Sequence, residues 1–137
     1  MTRPPPRGFT LVELMTVLAV AALLAGIAYP SYLAQVAKGR RSDGQQALLA
    51  LAQKLERFYA ERGTYAGAML GRGGIYPSAS TGGFYTLSIT TQTAGGFVIA
   101  ATPQGAQLGD TCAVLGTNQY GEQTVSTAAT LPAAKCW

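Results

Sequence analysis

Hydrophobic positions fall into three patterns along the chain, and each predicts a different element. From Phe9 to Ala28 twenty residues carry a single charge, Glu13, and Tyr29-Pro30 closes the run. As a helix this stretch is about 30 Å long, the thickness of a bilayer's hydrocarbon core. A charge there costs on the order of 2.5–3.5 kcal/mol near the middle and less toward an end. Beyond Pro30 the spacing becomes amphipathic: Leu48, Leu51, Leu55, Phe58 and Tyr59 follow i, i+3, i+4 and define one apolar face. Lys54, Arg57 and Glu61 lie mostly off that stripe, and Gly63 suits the residue that ends a helix. Inside this segment "KGRRSDGQQ" is awkward. Ser42-Asp43-Gly44-Gln45 fits a capping box and reads locally as a new helix start.

After a glycine-rich loop from Thr64 to Gly83 the period changes to two. In "FYTLSIT" (84–90) Tyr85, Leu87 and Ile89 alternate with Thr86, Ser88 and Thr90. "GFVIAAT" (96–102) follows the turn "TAGG", "TCAVLGT" (111–117) follows "PQGAQLGD", and turn-like Asn118–Gly121 precedes "EQTV". These runs predict an antiparallel meander of three or four strands, one face of which covers the helix stripe. The fold class is therefore α+β.

Composition narrows the chemistry. Hydrophobic content of 48% with 17 glycines fits a membrane-anchored domain with many turns. There is no histidine, which removes Ser-His-Asp and Cys-His nucleophile sites and every histidine-bearing metal site. "GRGG" lacks the spacing of a dinucleotide loop and follows no convincing strand. Setting aside residues 1–8 leaves eight basic and six acidic residues, a net charge of +2 that implies no strong electrostatic partner. Lys38, Arg40 and Arg41 read as a solvated helix face, with contact to lipid phosphates or nucleic acid as the alternative. Cys112 and Cys136 lack the C-x-x-C spacing of a zinc site, so they form a disulfide or are two unrelated buried thiols. A bridge would stabilise the fold by about 3.5 kcal/mol in the chain-entropy estimate and would place this part in an oxidising compartment.

The N-terminus admits three readings: an uncleaved signal anchor, a signal peptide cut near Ala28, or a short leader removed before the helix. Arg3, Arg7 and the starting amine oppose Lys38, Arg40 and Arg41, close to a tie under the positive-inside rule. The cysteine pair favours the C-terminal part lying outside the cytoplasm.

"Gly8-Phe9-Thr10-Leu11-Val12-Glu13-Leu14-Met15" resembles the class III signal of the type IV pilin and prepilin family. The ending "AAKCW", with "LAQKLERFYAERGTYAG", resembles PilE-type minor pilins in particular. The resemblance implies a long helix, half membrane-spanning and half amphipathic, packed on a three- to four-stranded antiparallel sheet with a disulfide-bounded C-terminal loop. It implies a leader at residues 1–8, a transmembrane or filament-core helix at 9–29 and its amphipathic half at 30–62. A helix-to-sheet loop would follow at 63–83, then the sheet and disulfide region at 84–137. A prepilin peptidase would cut between Gly8 and Phe9 on the cytoplasmic side and methylate the Phe9 amine. Glu13 would pair with the Phe9 amine of a neighbouring subunit, and Gly26 with Pro30 would mark a kink. The bridge would join Cys112 to Cys136, with no metal and no cofactor.

The expected function is a structural one, with no active site in the chain: a minor pilin that primes or enters a type IV pilus. A major pilin and a type II secretion pseudopilin are alternatives. Pseudopilins typically hold the C-terminal loop with calcium, yet beyond Gly63 only Asp110 and Glu122 are acidic. A competence pilin that binds DNA through basic residues is an alternative of another class, and the modest net charge argues against nucleic acid. Expected partners are other major and minor pilin subunits, the prepilin peptidase, the inner-membrane assembly platform, a tip adhesin and, before assembly, membrane lipid. The expected location is the inner membrane, with the C-terminal part in the periplasm, and then the extracellular filament.

Overall fold

The computed structural model describes residues 8–137; the leader expected at 1–8 lies, apart from Gly8, outside the described residues. Helix α1 spans Leu11–Arg62 and contributes to two compact units, one up to Val36 and one from Ala37 onward. The second unit, the head, continues with strands β1 (Tyr85–Gln92), β2 (Phe97–Pro103), β3 (Leu115–Asn118) and β4 (Gln123–Val125). A short helix α2 (Ala133–Cys136) ends the chain. The sheet is an antiparallel meander in the order β1-β2-β3-β4.

The head core follows the two periodicities. Leu48, Leu51, Leu55 and Phe58 of α1 are buried against Tyr85, Leu87, Phe97, Ile99 and Leu115. Each such side chain contributes about 1.5–3 kcal/mol when fully buried. Tyr59, expected on the same stripe, is 39% exposed and stacks on Tyr65 with ring centroids 4.6 Å apart. Tyr85 and Leu87 point inward while Thr86 points out, as alternation requires; the pattern weakens at the bulge between Ile89 and Thr91.

The third strand begins later than expected. Cys112 belongs to a turn in which Ala113 takes φ 46°, so pairing starts only at Leu115. The disulfide Cys112–Cys136 holds that turn, which is why a run with strand composition is not strand at its start. Gly63 ends α1 with φ 70° and donates its N–H to the Tyr59 carbonyl at 2.7 Å. The glycine-rich loop is folded onto the head: Tyr65 and Ala68 are buried, and Ile75 N–H donates to the Met69 carbonyl at 2.8 Å. A Cβ on Gly74 would lie 2.2 Å from that carbonyl oxygen, so this close approach accepts only glycine.

Candidate assembly surfaces

Every described residue from Gly8 to Gln35 is exposed, including Phe9, Leu11, Leu18, Leu23 and Ile27. An apolar surface of this extent demands lipid or protein around it. The helix is long and apolar enough to cross a membrane. Its start is capped: the Glu13 N–H donates to Thr10 Oγ1 at 3.2 Å, which makes Thr10 the N-cap and Glu13 the third helical residue. The Thr16 hydroxyl donates to the Glu13 carbonyl at 2.9 Å. A carboxylate in the first turn gains about 0.3–1 kcal/mol from the helix dipole, so the subunit's own backbone offsets part of the cost of Glu13. The T-x-x-E spacing of Thr10 and Glu13 is the sequence signal for this cap. Pro30 lies within α1; lacking an N–H, it leaves the Gly26 carbonyl without its helical donor.

The basic segment at the start of the head is not the solvated face expected of it. Arg41 donates from Nε and Nη2 to both carboxylate oxygens of Asp110 at 2.7–3.0 Å, with the side chains only 11% and 2% exposed. This contact raises the Arg41 pKa above its ordinary value, against an opposing effect of burial. Arg40 lies over the Phe84 ring, 5.0 Å from its centroid, and donates to the Ala106 carbonyl at 2.8 Å. Only Lys38 of the three is exposed. The signal in the sequence was Asp110, one of two acids beyond Gly63, whose partner no local pattern names. The second ion pair among the described residues, Arg57–Glu61, is exposed on the helix surface, where such pairs are worth little.

Near the far end of α1, Tyr65 donates its hydroxyl to both oxygens of Glu56 at 3.0 Å. Burial, with that hydrogen bond, pushes the Tyr65 phenol up to about 12. The fold thus favours neutral Tyr65. This stabilisation is complete below the ordinary tyrosine pKa of about 10 and is lost as pH rises from there to about 12. Tyr85, also shifted upward by burial, adds to the same alkaline loss. Tyr65→Phe should therefore lower the slope of stability against pH between about 10 and 12, measured by denaturant midpoints. An unchanged slope would exclude Tyr65 as its source.

Comparison with known proteins gives the family. A family described as type IV minor pilin ComP, DNA uptake sequence receptor, matches residues 30–116, and a prokaryotic N-terminal methylation motif matches residues 4–29. The fimbrial protein EcpC of Eikenella corrodens is 35% identical over 130 residues, covering 88% of this chain and 81% of that protein. The chain belongs to the type IV pilin family. The pilin is also 38% identical over 63 residues to the type IV major pilin PilA of Myxococcus xanthus, a match spanning 46% of this chain and 29% of that protein. A type IV pilin of Shewanella oneidensis, 31% identical, superposes with TM-score 0.50 over 74% of this chain and 97% of that one. The minor pilin PilV of Neisseria meningitidis shares the fold with TM-score 0.57 at 22% identity, over 67% and 88% of the two chains. The expected pilin fold, with four strands and the Cys112–Cys136 bridge, is thus the one this pilin has. Its family is one of structural subunits.

Proposed function

We propose that this pilin is a minor subunit of a type IV pilus, processed between Gly8 and Phe9 and methylated at Phe9. The match of a minor-pilin family across residues 30–116 carries the reading. The methylation motif at 4–29 supports the processing step. Before assembly the apolar half of α1 sits in the inner membrane with the head in the periplasm. Glu13 then pairs with the Phe9 amine of a neighbouring subunit, so that stacking at the wrong height leaves two charges unmatched. Gly26 and Pro30 mark the weak point of the helix. Asp110 is engaged by Arg41 and the C-terminal loop is closed by cysteines, an arrangement unlike the calcium-held loop of a pseudopilin.

Intact mass and N-terminal sequencing from membranes test the processing, with a methylated Phe9 as the expected start; a start at Tyr29 or Met1 would refute it. Glu13→Ala should be cleaved normally yet fall at least tenfold in sheared filaments, because its neighbour's amine loses its partner. Wild-type incorporation would sink the register role. A sheared preparation dominated by this subunit would overturn "minor".

A second reading has its own support: the matching family is described as a DNA uptake sequence receptor. Lys38, Lys54, Arg72 and Lys135 are exposed and stand outside the two ion pairs among the described residues. Under this reading the full processed chain in micelles shifts duplex DNA. Its affinity falls with salt by a slope of about −0.9 per phosphate contacted. No shift at low salt removes it.

A further inference from the structure

Residues 37 to 45 of α1, "AKGRRSDGQ", are poor material for a helix interior. Gly39 and Gly44 each weaken a helix by about 1 kcal/mol relative to alanine, and Ser42 and Asp43 favour caps over interiors. Immediately upstream, Pro30 removes one helical hydrogen bond, and Ser31 to Gln35 are exposed. Helix opening that starts at Pro30 therefore meets no obstacle before Ala37.

At Ala37 it meets one. Gln104 to Thr111, the first part of the β2–β3 connection, lies against this segment and grips it at three successive places. Buried Gln107 donates from Nε2 to the Ala37 carbonyl at 3.1 Å. The Ala106 carbonyl accepts from Arg40, and Asp110 with Thr111 accepts from Arg41. Elsewhere in the head, Asp43 accepts from the Ser80 hydroxyl and the Gly82 N–H, and Gln45 donates to the Cys136 carbonyl at 2.8 Å. Gly44 is packed so closely on Tyr85 that a Cβ would lie 2.9 Å from its ring.

We propose that the β2–β3 connection is a strap that stops helix opening at Ala37, and that its release moves the helix start to Ser42. The second start is already encoded: Ser42-Asp43-Gly44-Gln45 has the spacing of a capping box, which the strapped helix leaves unused. The segment 37–41 is then a two-state element, helical while the strap holds and open when it does not. The strap supplies the stabilisation that local propensity withholds, and the Ser42 cap limits how far opening runs into the head.

Hydrogen exchange of the full processed chain in detergent micelles, resolved by residue, tests this. In the wild type, protection should begin near Arg41, whose N–H bonds the Ala37 carbonyl in the helix. In Asp110→Asn, and independently in Gln107→Met, which keeps the ion pair, amides 41–45 should exchange at least tenfold faster. Amides of Leu48 to Phe58 should keep their protection relative to a Val125→Ala control of matched stability. Two variants guard against one failing to fold. Three results would overturn the strap: unchanged exchange at 41–45, a uniform rise across 41–58, or a wild type already unprotected up to Gln45.

Discussion

Asp110→Ala should destabilise the head by about 3–5 kcal/mol, the usual cost of leaving one partner of a buried ion pair without the other. Asp110 accepts three hydrogen bonds from Arg41, and its side chain is 2% exposed. Removing the carboxylate leaves the guanidinium, itself only 11% exposed, with Thr111 Oγ1 as its remaining partner of that group. Urea titration followed by fluorescence of Trp137, the single tryptophan, reads the change in the head. Arg57→Ala, which breaks the exposed pair with Glu61, should stay within about 0.5 kcal/mol in the same assay. Replacing both partners, as Arg41→Met with Asp110→Leu, should recover most of the loss, because no buried charge remains. A loss below about 1 kcal/mol in Asp110→Ala would mean that water reaches Arg41 and that the pair is not a structural contact.

The second large effect is expected at the bridge. Cys112→Ala with Cys136→Ala should lower stability by about 3.5 kcal/mol, from the entropy the open chain regains over the 24-residue separation. The loss should be local in character: β4 and α2 are held to the head through this closure, and the Trp137 indole donates to the Thr124 carbonyl at 3.1 Å across it. Limited proteolysis should therefore cut between Asn118 and Pro132 in the double variant first, with the α1 face of Leu48 to Phe58 surviving longer. Cleavage in α1 ahead of that stretch would contradict it. Asp110 stands two residues from Cys112 and donates nothing to local strand pairing, so the two losses share one turn and should not add. Combining the variants should give a coupling above about 0.5 kcal/mol.

What could be read in advance depended on how local the cause was. Leu48, Leu51, Leu55 and Phe58 are buried where their spacing put them, because a helix with one apolar stripe has one way to face a core. Tyr59 sits at the edge of that stripe, and whether an edge position is covered depends on the loop that returns over it. The capping box at Ser42 was a sound local signal with a different outcome. Asp43 and Gln45 bond to Ser80, Gly82 and Cys136, partners 37 to 91 residues away, and the helix runs through.

By itself the sequence determined the apolar helix, the amphipathic stripe, the meander, the Gly8–Glu13 motif and, with it, the family. Each rests on periodicity or on residue types within one or two helical turns, where bonded geometry sets what neighbours can do. Only the tertiary structure decided the partners of Arg40, Arg41, Asp43 and Gln107, which lie along the part of α1 where Gly39 and Gly44 make local propensity weakest. Those contacts join residues 37 to 70 positions apart. A long-range hydrogen bond exists only once the strands and loops between its ends have folded, so no local pattern announces it.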